Sequence, residues 1–193
     1  MALQILLVWA KGSPELDEVE AVMRELGVAQ RIFNTLPFAL WGQVNREEKG
    51  PLPSTIGYTD AQDYVLVDSV AGADLAKVRD FYLDANDRKD DPVYVLFIVP
   101  AGEILGANAF SLGGGYCSVL PVPTGVAGTA DGHTYAHEIG HGLSLPHVDD
   151  PDNLMYPYRV VDGEHRLSGD TIEVDQYKLM RTFLGKHPSL LKP

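Results

Sequence analysis

Apolar positions in the first half of the chain change between two spacings, and this pattern predicts strands that alternate with helices. Residues 3–9 form a nearly continuous apolar run, which we interpret as a buried strand. A helical spacing follows, and we expect Ser13 and Pro14 to start this helix and Gly27 to end it. The apolar positions of the helix are Leu16, Val19, Met23 and Leu26.

The alternation continues up to a glycine-rich region in the middle of the chain. A second strand is predicted between residues 30 and 44, broken by Pro37. The segments that follow are a surface loop at 45–54, a strand at 63–67, a helix at 75–85, a strand at 93–99 and short strands at 105–110 and 116–120. This order of elements predicts a mixed, mostly parallel sheet with helices packed on it.

Two further helices are predicted in the last third of the chain. The first runs from Asp131, a candidate N-cap, to Gly142. Residues 145–161 are interspersed with prolines and are interpreted as a loop. The last helix covers residues 173–184, and Gly185 follows it. The residues of this helix that we expect to face inward are Val174, Tyr177 and Leu184.

Composition and charge exclude several classes of protein. The 193 residues are 45% apolar and 22% charged, which is ordinary for a globular domain with its own core. A net charge of −12 argues against nucleic acid or an anionic membrane as the main partner. No apolar run approaches the roughly 20 residues of a membrane span. The single cysteine, Cys117, excludes an internal disulfide, and we interpret it as a small buried hydrophobe.

A group of histidines around the first of these C-terminal helices carries the candidate chemistry. His137 and His141 are four residues apart, so both imidazoles lean over one face of the helix. The chain is expected to turn after Gly142, which can bring His147 back as a third ligand. Three protein ligands with an open fourth position are the layout of a catalytic zinc site, and Glu138 can then serve as general base. The alternative interpretation is a helix whose histidines bind no metal.

Two segments together resemble the metzincin clan of zinc endopeptidases. They are HEIGHGLSLPH at residues 137–147 and the Asn153-Leu154-Met155-Tyr156-Pro157 segment that follows, with features similar to both matrixins and adamalysins. The resemblance implies a set of zinc ligands, a general base and a methionine beneath the metal in a Met-turn. These residues are His137, His141 and His147 as ligands, Glu138 as the base, and Met155.

The resemblance also implies a zincin-like α+β fold. We therefore interpret residues 1–193 as a single catalytic domain, in which residues 1–147 form an N-terminal subdomain that ends with the active-site helix. Residues 148–193 form a small C-terminal subdomain with the Met-turn and the final helix. The clan has glycine where this chain has Ser144, in a turn that we expect to be left-handed, where a Cβ costs roughly 1 kcal/mol.

The resemblance further places the substrate. An extended peptide is expected beside the strand at 105–110, as an addition to the sheet edge. Some metzincins use a tyrosine as an extra metal ligand at the position of Pro157. Because this chain has proline there, we expect the residues around Pro157 to form the pocket wall instead. The residues predicted to line the pocket are Tyr156, Pro157 and Tyr158.

Other residues receive less specific interpretations. His133 is expected at the cleft rim, and the oxygen-rich loop at 149–153 suggests calcium only weakly, since it lacks the spacing of an EF-hand. We expect a monomer that acts on peptides or proteins. Secretion is favoured by the resemblance, although no signal peptide is visible. A second hypothesis is a zinc-stabilised peptide-binding module without turnover, and a third is an α/β binding domain without metal.

Overall fold

The computed structural model describes the candidate site and most of the elements around it. The described residues are 1–9, 14–45, 83, 94–99, 109–112, 117–124, 131–157, 159–161, 164–166 and 169–192. Of the predicted loop at 45–54, Asn45 is the last residue of a strand and residues 46–54 lie outside the described residues. The predicted strand at 63–67 and helix at 75–85 also lie outside them, except Leu83, which is helical and buried. Among the described helices, none has an apolar stretch long enough to cross a bilayer.

A mixed sheet forms the centre of the fold. Its strands are β1 (Ala2–Trp9), β2 (Phe38–Asn45), β3 (Tyr94–Val99), β4 (Phe110–Leu112), β5 (Cys117–Pro121) and β8 (Leu191–Lys192). Strands β6 (Arg159–Val161) and β7 (Glu164–Arg166) form a separate two-stranded sheet. The order across the sheet is β2-β1-β3-β5-β4, and the first three pairings are parallel. Strand β4 pairs antiparallel with β5, and β8 pairs antiparallel with the start of β1. The predicted mixed, mostly parallel sheet of an α+β fold is therefore confirmed.

Within the described ranges, three α-helices can be given bounds, and the first differs from its prediction at both ends. The helices are α1 (Leu16–Ile32), α2 (Gly132–Gly142) and α3 (Val174–Lys186). Helix α1 begins with a capping box of Glu15 and Glu18, not with Ser13 and Pro14, and it continues through Gly27. An interior glycine costs about 1 kcal/mol, which the burial of Leu26 and its neighbours in the core outweighs.

The buried face of α1 also differs from the predicted one. Val22, Leu26 and Ala29 are the buried residues of the helix, whereas Leu16 is 74% exposed and Met23 is 40% exposed. Of the predicted stripe, Leu26 is buried and Val19 is half-buried against the core, whereas Leu16 and Met23 are exposed. The helix is rotated so that Val22 and Ala29, one turn on either side of Leu26, face the core.

Helix α2 starts at a cap with two carboxylates. Asp131 accepts hydrogen bonds from the backbone N–H groups of His133 and Thr134, which confirms it as the N-cap. Glu25 of α1 accepts the N–H of Gly132 at 3.0 Å. A Cβ on Gly132 would lie 2.3 Å from Val28 Cβ, so the glycine allows the two helices to approach closely. Helix α2 thus has a fixed position between α1 and the β4–β5 pair.

The C-terminal segment contains a hairpin that the sequence did not indicate. Strands β6 and β7 pair antiparallel, so the predicted loop at 145–161 ends in a strand. Each strand has three residues, which is too short for an alternating pattern to be recognised. In α3 the expected inward-facing Val174 is 70% exposed, and Gly185 lies inside the helix. The residues of α3 that are buried are Gln176, Met180 and Leu184.

Candidate active site

Three histidine side chains converge at the C-terminal end of α2. His137 and His141 extend from one face of the helix, and the chain then turns back through Ser144, whose φ is 71°. The turn confirms the expected left-handed conformation, and it is closed by the Leu145 N–H, which donates to the Gly140 carbonyl at 2.9 Å. His147 Nε2 lies 3.3 Å from His137 Nε2 and 3.0 Å from His141 Nε2. These separations bring one donor atom of each residue to a common point.

The other ring nitrogens of two histidines are held by the backbone. His137 Nδ1 donates to the Leu154 carbonyl at 2.7 Å, and His141 Nδ1 donates to the Leu145 carbonyl at 2.8 Å. A carbonyl oxygen can only accept, so Nδ1 carries the proton and the Nε2 lone pair is available for a metal. Burial lowers the pKa of His137 to about 4 and also lowers the pKa of His141. The neutral, metal-binding form is therefore favoured at both positions.

Glu138 is a buried carboxylic acid without a complete set of partners. Burial raises its pKa to about 8, although the Ser111 hydroxyl beside the carboxyl group opposes the shift. The Oε2 atom has no hydrogen-bond partner among the described residues. With respect to the described part of the chain, this atom is therefore open to a partner such as water or substrate.

The backbone of Glu138 is fixed by a cluster of hydroxyl groups from the sheet. Its carbonyl oxygen accepts a hydrogen bond from Ser111 of β4, and the hydroxyls of Ser118 of β5 and Tyr94 of β3 lie 3.3 Å and 3.4 Å from the same oxygen. Ser111 also bonds to Ser118, which lies 2.7 Å from the Tyr94 hydroxyl. Burial raises the pKa of Tyr94, so the phenol stays neutral. Sequence reasoning missed these three residues, because no local motif links positions on three different strands.

Met155 lies directly beneath the helix that carries the histidines. The residue is fully buried, and a Cβ on Gly140 would lie 2.6 Å from its sulfur. The Met155 N–H donates to Asn153 Oδ1 at 2.8 Å, and its carbonyl accepts the Val148 N–H at 3.0 Å. The loop after His147 therefore folds back under α2.

The remaining predicted residues differ in burial and lie outside the group of three histidines. Tyr156 is buried and Pro157 is half-buried next to Met155, whereas Tyr158 lies outside the described residues. His133 is half-exposed and does not join the group of three. Cys117 is buried, as expected.

The structure gives no support for calcium in the loop at 149–153. Asp149 and Asp152 are exposed, while Asn153 is buried and its side-chain oxygen already accepts two hydrogen bonds. The oxygen atoms of the loop therefore do not form a common site among the described residues.

No protein-family model matches this sequence, and no curated protein matches it either. Solved structures do share its fold. Metalloproteinase-II from Bacteroides fragilis is 15% identical with a TM-score of 0.53, and the match covers 94% of this chain and 53% of that one. A zinc-dependent peptidase from Methanocorpusculum labreanum is 14% identical with a TM-score of 0.50, over 92% of this chain and 99% of that one.

A chain from a chaperone–substrate complex also matches, with 14% identity and a TM-score of 0.54, over 100% of this chain and 35% of that one. This chain thus spans about half the length of the Bacteroides fragilis metalloproteinase and about a third of the complex component. At such low identities the likeness concerns the fold. That fold is the α+β fold found in zinc-dependent peptidases, with three histidines that could hold a metal ion.

Proposed function

We propose that this protein is a zinc-dependent endopeptidase of the metzincin type. The observation that carries the proposal is the convergence of three imidazole Nε2 atoms, two of them with Nδ1 donating to a backbone carbonyl. Two proteins with the same fold are a metalloproteinase and a zinc-dependent peptidase. Met155 beneath α2 supports the interpretation of its loop as a Met-turn.

The donor set suits zinc. The three imidazoles of His137, His141 and His147 are ligands that zinc prefers in catalytic sites. A metal held by these residues would supply a Lewis acid that makes water at the site more acidic. The positive charge of a bound metal would favour the ionised form of the Glu138 carboxyl group. In that form Glu138 accepts a proton from water and returns it to the departing amine. The Oε2 atom of Glu138 supports this role, because no side chain among the described residues forms a hydrogen bond with it.

The substrate is proposed to be an extended peptide at the β4 edge of the sheet. Strand β4 ends the described strand order and pairs with β5 on one side, so a peptide can add on the other. Only the end of the predicted 105–110 strand lies within the described residues. We propose that Tyr156, Pro157 and Tyr158 form the wall of the pocket beyond the scissile bond.

Replacement of the general base tests this function. We expect Glu138→Gln to retain one zinc per chain while kcat/KM for peptide cleavage falls by about 10³-fold or more. Substrates are found by cleavage-site profiling of a proteome-derived peptide library, with and without a chelator. The matched control is Glu20→Gln on the exposed face of α1, which should cleave like the wild type. Undiminished cleavage by Glu138→Gln would contradict the mechanism.

Serine at position 144 and the short chain are the two features that favour a binding module without turnover. In the structure, Ser144 adopts the left-handed conformation and His147 still reaches the other two histidines. This observation removes the main reason for preferring a non-catalytic site. A wild-type protein that holds one zinc and cleaves no peptide of the library would restore that hypothesis.

A further inference from the structure

Two buried amide side chains join the loop below the histidines to the last helix. Asn153 is 0% exposed and Gln176 is 4% exposed. Asn153 Nδ2 donates to Gln176 Oε1 at 2.9 Å, and Gln176 Nε2 donates to Asn153 Oδ1 at 3.0 Å. Asn153 Oδ1 also accepts the Met155 N–H, and Gln176 Oε1 also accepts the Glu173 N–H, each at 2.8 Å. A flipped amide would face these donors with its NH₂ group, so the contacts fix both orientations.

This amide pair stands next to the carbonyl group that orients a histidine. Leu154, between Asn153 and Met155, accepts the Nδ1–H of His137 at 2.7 Å. The N–H of Leu154 donates to the Thr171 carbonyl at 2.8 Å. The peptide group before Leu154 is therefore held by the Thr171 carbonyl. The peptide group after Leu154 is held by the side chain of Asn153, which the amide pair fixes.

We propose that Asn153 and Gln176 are positioning residues for the metal site, acting through the Leu154 carbonyl on the angle of the His137 ring. The inference rests on the zinc site proposed above. A metal-ligating histidine depends on the partner of its other N–H, and loss of such a partner typically lowers metal affinity 10- to 100-fold. A purely structural role would instead make metal affinity follow folding stability.

Three variants separate positioning from stability. Gln176→Met removes one amide and leaves Asn153 Nδ2 and the Glu173 N–H without their acceptor, while Asn153 Oδ1 keeps the Met155 N–H. Asn153→Leu combined with Gln176→Met removes both amides, which recovers part of the stability because no unpaired side-chain amide stays buried. Leu184→Ala makes a cavity two turns further along α3 and is the matched control for lost stability.

The readouts are the Zn²⁺ affinity, measured by competition with a chelating dye, the Co²⁺ absorption bands and urea unfolding of the metal-free protein. We expect a 10- to 100-fold lower Zn²⁺ affinity and altered Co²⁺ bands in Gln176→Met and in the double variant. Leu184→Ala should keep wild-type bands and an affinity within about threefold. An affinity that follows the unfolding free energy across the three variants would overturn the positioning role.

Cleavage activity does not enter this test, so the two proposals can fail separately. A wild-type protein that binds zinc without cleaving peptides contradicts the peptidase proposal, and the affinities alone still decide on the amide pair. An unchanged Zn²⁺ affinity in Gln176→Met contradicts the positioning role of the amide pair and does not affect the peptidase proposal. Absence of zinc binding in the wild type overturns both. If Gln176→Met does not fold, the double variant and Leu184→Ala decide.

Discussion

Ser144 shows how a single departure from a motif is accommodated. Its φ of 71° lies in the region where a Cβ costs about 1–2 kcal/mol, and glycine is the residue that the metzincin pattern has there. Serine is tolerated because the turn is closed by backbone hydrogen bonds on both sides, from Ser144 to His141 and from Leu145 to Gly140. The third histidine is therefore positioned by backbone bonding in the turn and not by glycine.

The buried carboxyl group of Glu138 predicts a specific pH dependence of the metal-free protein. Its pKa of about 8 exceeds the ordinary 4.5, so between these values the folded state holds a proton that the unfolded state releases. Stability from this group is present at low pH and is lost as the pH rises toward 8. Glu138→Gln should therefore gain about 1–3 kcal/mol relative to wild type between pH 5 and pH 8.

Urea unfolding in the presence of a chelator measures this difference. His137, whose lowered pKa acts in the opposite direction below pH 6.5, is present in both proteins and cancels in the comparison. A wild-type-to-variant difference that is the same at pH 5 and pH 8 would show that Glu138 ionises normally.

Two glycines within helices have opposite effects on the stability of the fold. A Cβ on Gly142 of α2 would lie 1.7 Å from the Tyr94 hydroxyl, which is buried in the sheet. A Cβ on Gly27 of α1 would meet nothing closer than Arg31 at 3.9 Å. Gly142 is therefore required by the packing of α2 on β3, whereas Gly27 only weakens its helix.

We expect alanine at these two positions to change stability in opposite directions. Gly142→Ala should destabilise the protein by about 2 kcal/mol or more, because neither the helix nor the buried tyrosine can move freely. Gly27→Ala should stabilise it by about 0.5–1 kcal/mol through helix propensity. Chemical denaturation of both variants measures the two effects. A similar loss in both would contradict the assigned contact with Tyr94.

The sequence predicted those elements whose signal is local. Asp131 as the cap of α2, the common face of His137 and His141, and the return of His147 depend on neighbouring residues. Gly27 led to a wrong prediction of the end of α1. The burial of Leu26 beside it outweighs the low helix propensity of glycine, so the helix continues. Contacts between distant segments could not be predicted at all. Those that matter here are the Tyr94–Ser118–Ser111 cluster on Glu138 and the Asn153–Gln176 pair.

At the scale of the whole molecule, the site joins the two parts into which we divide the chain. The proposed ligands His137 and His141 lie before residue 148, whereas the carbonyl that accepts the His137 Nδ1–H and the methionine beneath α2 lie after it. The division at 147–148 and the monomeric state remain predictions. A metal held at this junction binds a geometry that only the folded chain provides, so its binding is coupled to folding.

Zinc is therefore expected to stabilise the entire fold. At about 1,000 times its Kd, a ligand of the folded state adds about 4 kcal/mol to the unfolding free energy. For a chain of this size that corresponds to a rise in Tm of roughly 8–16 °C, which a chelator should abolish. Thermal unfolding with zinc and with chelator measures the shift. His147→Ala should lose most of it, and His133→Ala, outside the group of three, should keep it. An equal shift in both variants would place the metal elsewhere.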